Sequence, residues 1–144
     1  MARQTSRTDT APRRVRDDHA LFVPRPPLDQ LVDFLWIAKT YPAQAPRERV
    51  LPSGALALVI NLGAEHFEMY EHDHAPEPRR FPGVVVCGGR AQPLVIGTSV
   101  IGSTMGVHFK PGGARAFFDV PMGALEGHVE ALDALWGASA SALR

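Results

Sequence analysis

His66, Glu68, His72, His74 and Glu77 fall within twelve positions. Imidazole nitrogens and carboxylate oxygens are donors that a transition metal accepts, and His72, His74 and Glu77 would form the tightest set. The same stretch holds Asp73, Ala75, Pro76, Pro78 and two arginines. That is the composition of a hydrated loop, and a loop without fixed geometry does not keep ligands within tenths of an ångström. A solvated loop is therefore the expectation, with metal binding as the alternative.

Two other groupings invite chemistry. Lys110-Pro111-Gly112-Gly113 stands where a strand pattern gives way to a helical one. Backbone N–H groups at such a junction attract anions. The stretch lacks the long glycine loop and the Gly-Lys-Ser/Thr ending of a nucleotide site. Glycine also serves where two backbones must touch, so a corner is the expectation. Ser53, Ser99, Ser103 and Cys87 stand in no G-x-S-x-G context, and the carboxylates form no spaced pair on a regular element. No catalytic residue and no cofactor are expected, so the chain does not read as an enzyme. Within Arg47-Glu48-Arg49, strand alternation would turn one of Glu48 and Arg49 inward, where a charge needs a partner or a polar ligand.

The elements that must carry these groups are mostly strands. Ala55–Gly63 reads as a central strand, since both of its alternating faces are apolar. HFEMY, GVVVCGG, PLVIGT and STMGVHF follow as short strands around the polar loop EHDHAPEPRRF. Leu28, Leu31, Val32 and Leu35 lie at i, i+3, i+4 and i+7, which predicts a short amphipathic helix, with a strand beginning at Trp36-Ile37 and a loop over 41–46. After the glycine corner, Ala114, Phe117 and Phe118 share one helical face, with Pro111 as first helical residue. Glycines at 123, 127 and 137 divide the C-terminal part into short helices with Val129, Leu132, Leu135 and Trp136 inward. No helix of about ten residues separates the strands, so a sandwich or small barrel is favoured over parallel winding.

At 144 residues with 45% hydrophobic content, the chain has room for one domain with a core. Fifteen basic and fifteen acidic side chains balance, so no global field draws it to nucleic acid or anionic lipid. A single cysteine fits a reducing cytoplasm, and no apolar run approaches the roughly twenty residues of a membrane helix. Residues 1–20 read as a disordered basic tail and residues 138–144 as the start of a truncated linker helix.

Taken in order, FVPRPPLDQLVDFLW, ERVLPSGALALVINLG, VVVCGGRAQPLVI, GVHFKPGGARAFFDVPMGAL and LDALWG resemble the N-terminal domain of AraC-type bacterial transcription regulators. Phe109, Pro111, Gly112 and Gly113 match that group's structural corner. The resemblance implies a mainly β fold with flanking α, a cupin-like β-barrel with short C-terminal helices over residues 21–137. It also implies a small-molecule effector, a homodimer, and DNA binding through a helix-turn-helix domain that lies outside these residues. In such a barrel a few polar or aromatic groups orient the ligand. Trp36, Glu48, Arg49, Asn61, Arg90 and His108, on or beside predicted strands, are the candidates. The metal alternative would make the chain a small cupin-type metalloenzyme or a metal-binding protein using the loop from His66 to His74, because His72, His74 and Glu77 partly resemble the cupin metal motif.

Overall fold

The computed structural model describes residues 13–16, 18–39 and 43–143. The first strands are β1 (Arg13–Arg16), β2 (His19–Phe22), β3 (Val32–Ala38), β4 (Arg47–Val50), β5 (Ala57–Asn61) and β6 (His66–Tyr70). They are followed by β7 (Arg79–Pro82), β8 (Val84–Cys87), β9 (Leu94–Gly97), β10 (Thr104–Phe109), β11 (Val129–Ala131) and one helix, α1 (Leu132–Trp136). Single 3-10 turns stand at Leu28–Gln30, Gly113–Ala116 and Met122–Ala124, and a 3-10 segment covers Gly137–Leu143.

All strand pairings among the described residues are antiparallel. One sheet has the order β1-β2-β3-β10-β5-β8-β11, and the other β4-β9-β6-β7. The fold is mainly β with a short C-terminal helix. Among the described residues the strands do not close into a single shell; β1 and β11 end one sheet, β4 and β7 the other.

Strand alternation explains how the sheets are buried. Val85 and Val86 are neighbours in β8, both at most 1% exposed, yet they belong to different apolar clusters. Val85, with Val59 and Val129, meets Phe67, Met69 and Ile96 of the smaller sheet. Val86, with Leu58 and Ile60, meets Phe109, Phe118, Leu125, Leu132 and Ala140. The large sheet thus has the small sheet on one face and the turns and helix on the other, which is why β5 and β8 are apolar on both sides.

Several expectations are corrected. The helix over Leu28–Leu35 is a 3-10 turn followed by β3, whose two neighbours β2 and β10 supply hydrogen bonds along its length. A bulge between His108 and Phe109, opposite Asp33, shifts the register and breaks the period-2 signal. Of the supposed tail, Arg13–Arg16 and His19–Phe22 form an antiparallel pair, while residues 1–12 and 17 lie outside the described residues. In the supposed loop over 41–46, Tyr41 and Pro42 also lie outside them. The end of the histidine-rich loop is a strand, β7, paired with β6. Val129 sits in a strand rather than a helix, paired with Cys87. Residues 138–143 do not lead away as a linker: Ala140 is buried in the core.

The glycine corner is a corner. Gly112 has φ +74°, in the left-handed region that Gly tolerates best, and Pro111 stands before the turn instead of opening a helix. Lys110 N–H donates to the Leu31 carbonyl at 3.0 Å, and a Cβ on Gly113 would stand 2.0 Å from that oxygen. The corner delivers Phe117 and Phe118 against Phe109, with ring centroids 5.3 and 6.0 Å away. Trp136 stacks on Phe118 and donates its indole N–H to the Phe117 carbonyl at 2.8 Å.

Candidate functional site

Alternation in the smaller sheet puts Phe67, Met69, Phe81 and Ile96 on the face that meets the large sheet. At the β7 and β11 edges the sheets part, leaving a cleft of about 680 Å³ floored by Met69, Leu94 and Val129. That volume lies in the range of small-molecule sites, roughly 300–1,000 Å³. Two guanidinium groups stand at its wall. Arg79, on the Met69 face of β7, lies 5.2 Å over the Phe81 ring. Arg90 comes from the β8–β9 loop, and its Nε is buried without a hydrogen-bond partner. Arg80 alternates to the opposite face, 3.6 Å from Glu68.

The backbone that presents Arg90 is held on both sides. Its N–H donates to the Ser53 carbonyl at 2.8 Å, Gly88 N–H to His128 at 2.9 Å, and Gly127 N–H to the Gly89 carbonyl at 2.9 Å. A Cβ on Gly88 would stand 1.7 Å from the Leu125 oxygen, and one on Gly89 would stand 2.7 Å from that of Gly54. Only glycines allow this approach, so the Gly-Gly-Arg sequence fixes where the Arg90 side chain leaves the backbone. Arg90 also borders a second cleft of about 380 Å³, together with Lys110 and Glu126.

Trp36 and His108 are brought to the same face of adjacent strands, away from the Arg90 cleft. Trp36 lies flat on Gly106, where a Cβ would meet the indole at 2.6 Å. His108 stacks on Phe34 with centroids 4.7 Å apart and planes 6° apart, and its Nδ1 is buried 3.7 Å from Asp33, which the bulge turns toward it. Glu48 lies opposite Ile96, on the inner-face register, and accepts the Gln44 N–H at 2.6 Å.

Arg49 is corrected: it alternates outward, is exposed, and is hydrogen-bonded to Asp73. The Arg49 guanidinium in turn holds the Asp73 carboxyl below the usual carboxylate range. Asn61 is corrected as well. At 2% exposure it donates to the His66 and Val100 carbonyls and accepts from Gly63 and Ala64 N–H. Its hydrogen-bonding capacity is spent on ordering loops, with none left over for a ligand.

The metal alternative finds no geometry. His72, His74 and Glu77 are exposed, and among the described residues no group of three or more His, Cys, Asp or Glu could hold an ion. His66 lies 3.7 Å from Glu68 on the outer face of the small sheet. Cys87 packs between the sheets, and burial pushes its thiol up to about 11, against a weaker opposing effect of Arg90. Sequence reasoning missed Arg79, Met69, Leu94 and Val129. The signal available for Arg79 was its spacing of two from Phe81, which puts both on one face of a strand.

No helix among the described residues is long and apolar enough to cross a membrane. No curated protein and no solved structure matches the chain. A family described as a domain of unknown function, DUF6597, matches residues 20–131, and the chain belongs to that family.

Proposed function

We propose that the chain is the sensing and dimerisation module of a transcription regulator of AraC type. In this reading the two sheets are the walls of a cupin-like fold, a small-molecule effector enters between them, and a helix-turn-helix domain outside these residues contacts DNA. The observation that carries the reading is the cleft between the sheets: an apolar floor of Met69, Leu94 and Val129 with charged groups at its wall. Charged groups placed beside an apolar floor can orient a small molecule.

A route from ligand to output follows from the chain order. β11 forms one wall of the cleft and runs straight into α1, which Trp136 fastens to Phe117 and Phe118. A ligand that prefers one placement of β11 biases the placement of α1 by its difference in affinity for the two states, and by no more than that.

The test joins the chain to a helix-turn-helix domain that occupies its operator only as a dimer. Operator occupancy in cells, together with a rise in melting temperature under some member of a metabolite library, is the expected result. A strictly monomeric chain that no metabolite stabilises, or one that turns over a substrate, overturns the proposal.

A further inference from the structure

The effector reading leaves the chemical class of the ligand open, and Arg90 narrows it. A guanidinium stays charged at any physiological pH and presents its donors in a planar fork. Buried donors are almost always paired, and an unpaired one calls for an explanation. The Nε of Arg90 is buried and unpaired, and among the described residues no carboxylate lies within ion-pair distance of this side chain. The two carboxylates bordering the cleft do not pair with it. Glu71 is exposed in the turn after β6, and Glu130 stands opposite Val86, on the register of the other face of the sheet. Arg79 adds a second positive charge from the inner face of β7.

A flexible arginine would swing into water. Here the root of the side chain is fixed, because residues 88–90 are bonded to Ser53 and His128 and packed on the backbones of Gly54 and Leu125, and its Nε is buried in the protein. The charge is thus presented to the cleft in advance, which lowers the cost of ordering it when a ligand arrives. Beside it lies an apolar floor of Met69, Leu94 and Val129.

We infer that the cleft between the sheets binds an organic anion, its acidic head on Arg90 and its apolar body on Met69, Leu94 and Val129. The inference deepens the effector reading and rests on it. The acidic head is a carboxylate or a phosphate ester, since a guanidinium fork fits both.

The probes are octanoate, octyl phosphate, octanol and octylamine, titrated calorimetrically at fixed ionic strength into the intact protein. One or both anions should bind at least about tenfold more tightly than octanol, as expected of a charge-assisted hydrogen bond, and octylamine least. Whichever anion binds more tightly distinguishes the two heads. Arg90→Gln should bring the ratio of anion to alcohol close to one, and Arg90→Lys should keep part of it. Leu94→Trp, which fills the floor without touching the charge, should weaken anions and alcohol alike and serves where Arg90→Gln does not fold. Equal binding of octanol and the anions overturns the inference while leaving effector sensing intact. Unchanged anion preference in Arg90→Gln overturns Arg90 as the anchor. Absence of binding by all four probes overturns the anion site, and the dimer reporter then decides separately on the regulatory reading.

Discussion

Asn61 stands between chemistry and architecture: an amide on the inner face of a central strand is a reasonable ligand contact, yet here every bond it can make is used within the protein. Its removal takes one hydrogen bond from each of two N–H groups and two carbonyls around a site 2% exposed. A buried group left without a partner costs about 1–3 kcal/mol, softened by entering water. Asn61→Ala should therefore lose about 3 kcal/mol in urea unfolding, without changing the anion preference of the cleft. Cys87 gives a pH prediction. Its folded-state value of about 11 lies above the ordinary 9.0, so between those values the folded protein keeps a proton that the unfolded chain releases. Stability is then full below pH 9 and declines as pH rises toward 11, by about 2 kcal/mol from this group. Denaturation midpoints across that window should fall less steeply in Cys87→Ala, and the native thiol should resist iodoacetamide at pH 8.

At the scale of elements, the glycine corner separates two uses of one residue type. Gly112 needs its positive φ but faces open space, whereas Gly113 needs the absence of a side chain against Leu31. Gly112→Ala should cost about 1–2 kcal/mol, the strain of a left-handed residue. Gly113→Ala should cost about 3 kcal/mol or more, since the backbones of two elements must separate. Equal losses in equilibrium unfolding would contradict this account of the corner. The same elements show what could be read from sequence. β5, β6, β8, β9 and β10 announced themselves, because a strand buried on one or both faces carries either alternation or a short apolar run between turns. β3 did not: Leu28, Leu31, Val32 and Leu35 imitate a helical face, and the bulge at Asp33 hides the alternation. β11 is too short, at three residues, to show any period. Arg90 was legible as a polar residue beside a strand, but the cleft floor was not, since Met69, Leu94 and Val129 come from strands distant in sequence and meet only when the sheets pack. Tertiary pairing is long-range information that a local window does not hold.

The whole molecule is a sheet with two covers, and the second cover extends past the stretch that defines the family. The family match ends at residue 131, while Leu132, 1% exposed, is the next residue and one of the most buried side chains described. Leu132, Ala140, Leu135 and Trp136 pack with Phe118 on the face that carries Val86 and Leu58. A chain ending at Ala131 would leave that apolar face open and remove the Trp136 bond to Phe117. Its expected state is a loosened one with retained β signal, broadened unfolding and strong binding of a hydrophobic dye. Leu132→Ala in the full chain is the milder form of the same lesion, and large-to-small changes at such sites cost about 2–5 kcal/mol. Cooperative unfolding of the shortened chain, at the midpoint of the full one, would mean that the cover contributes nothing. The expected order of stability is full chain, then Leu132→Ala, then the chain ending at Ala131. That order makes residues 132–143 part of the folding unit, so the movement of β11 proposed for ligand binding would reach α1 through packed side chains rather than through a loose tether.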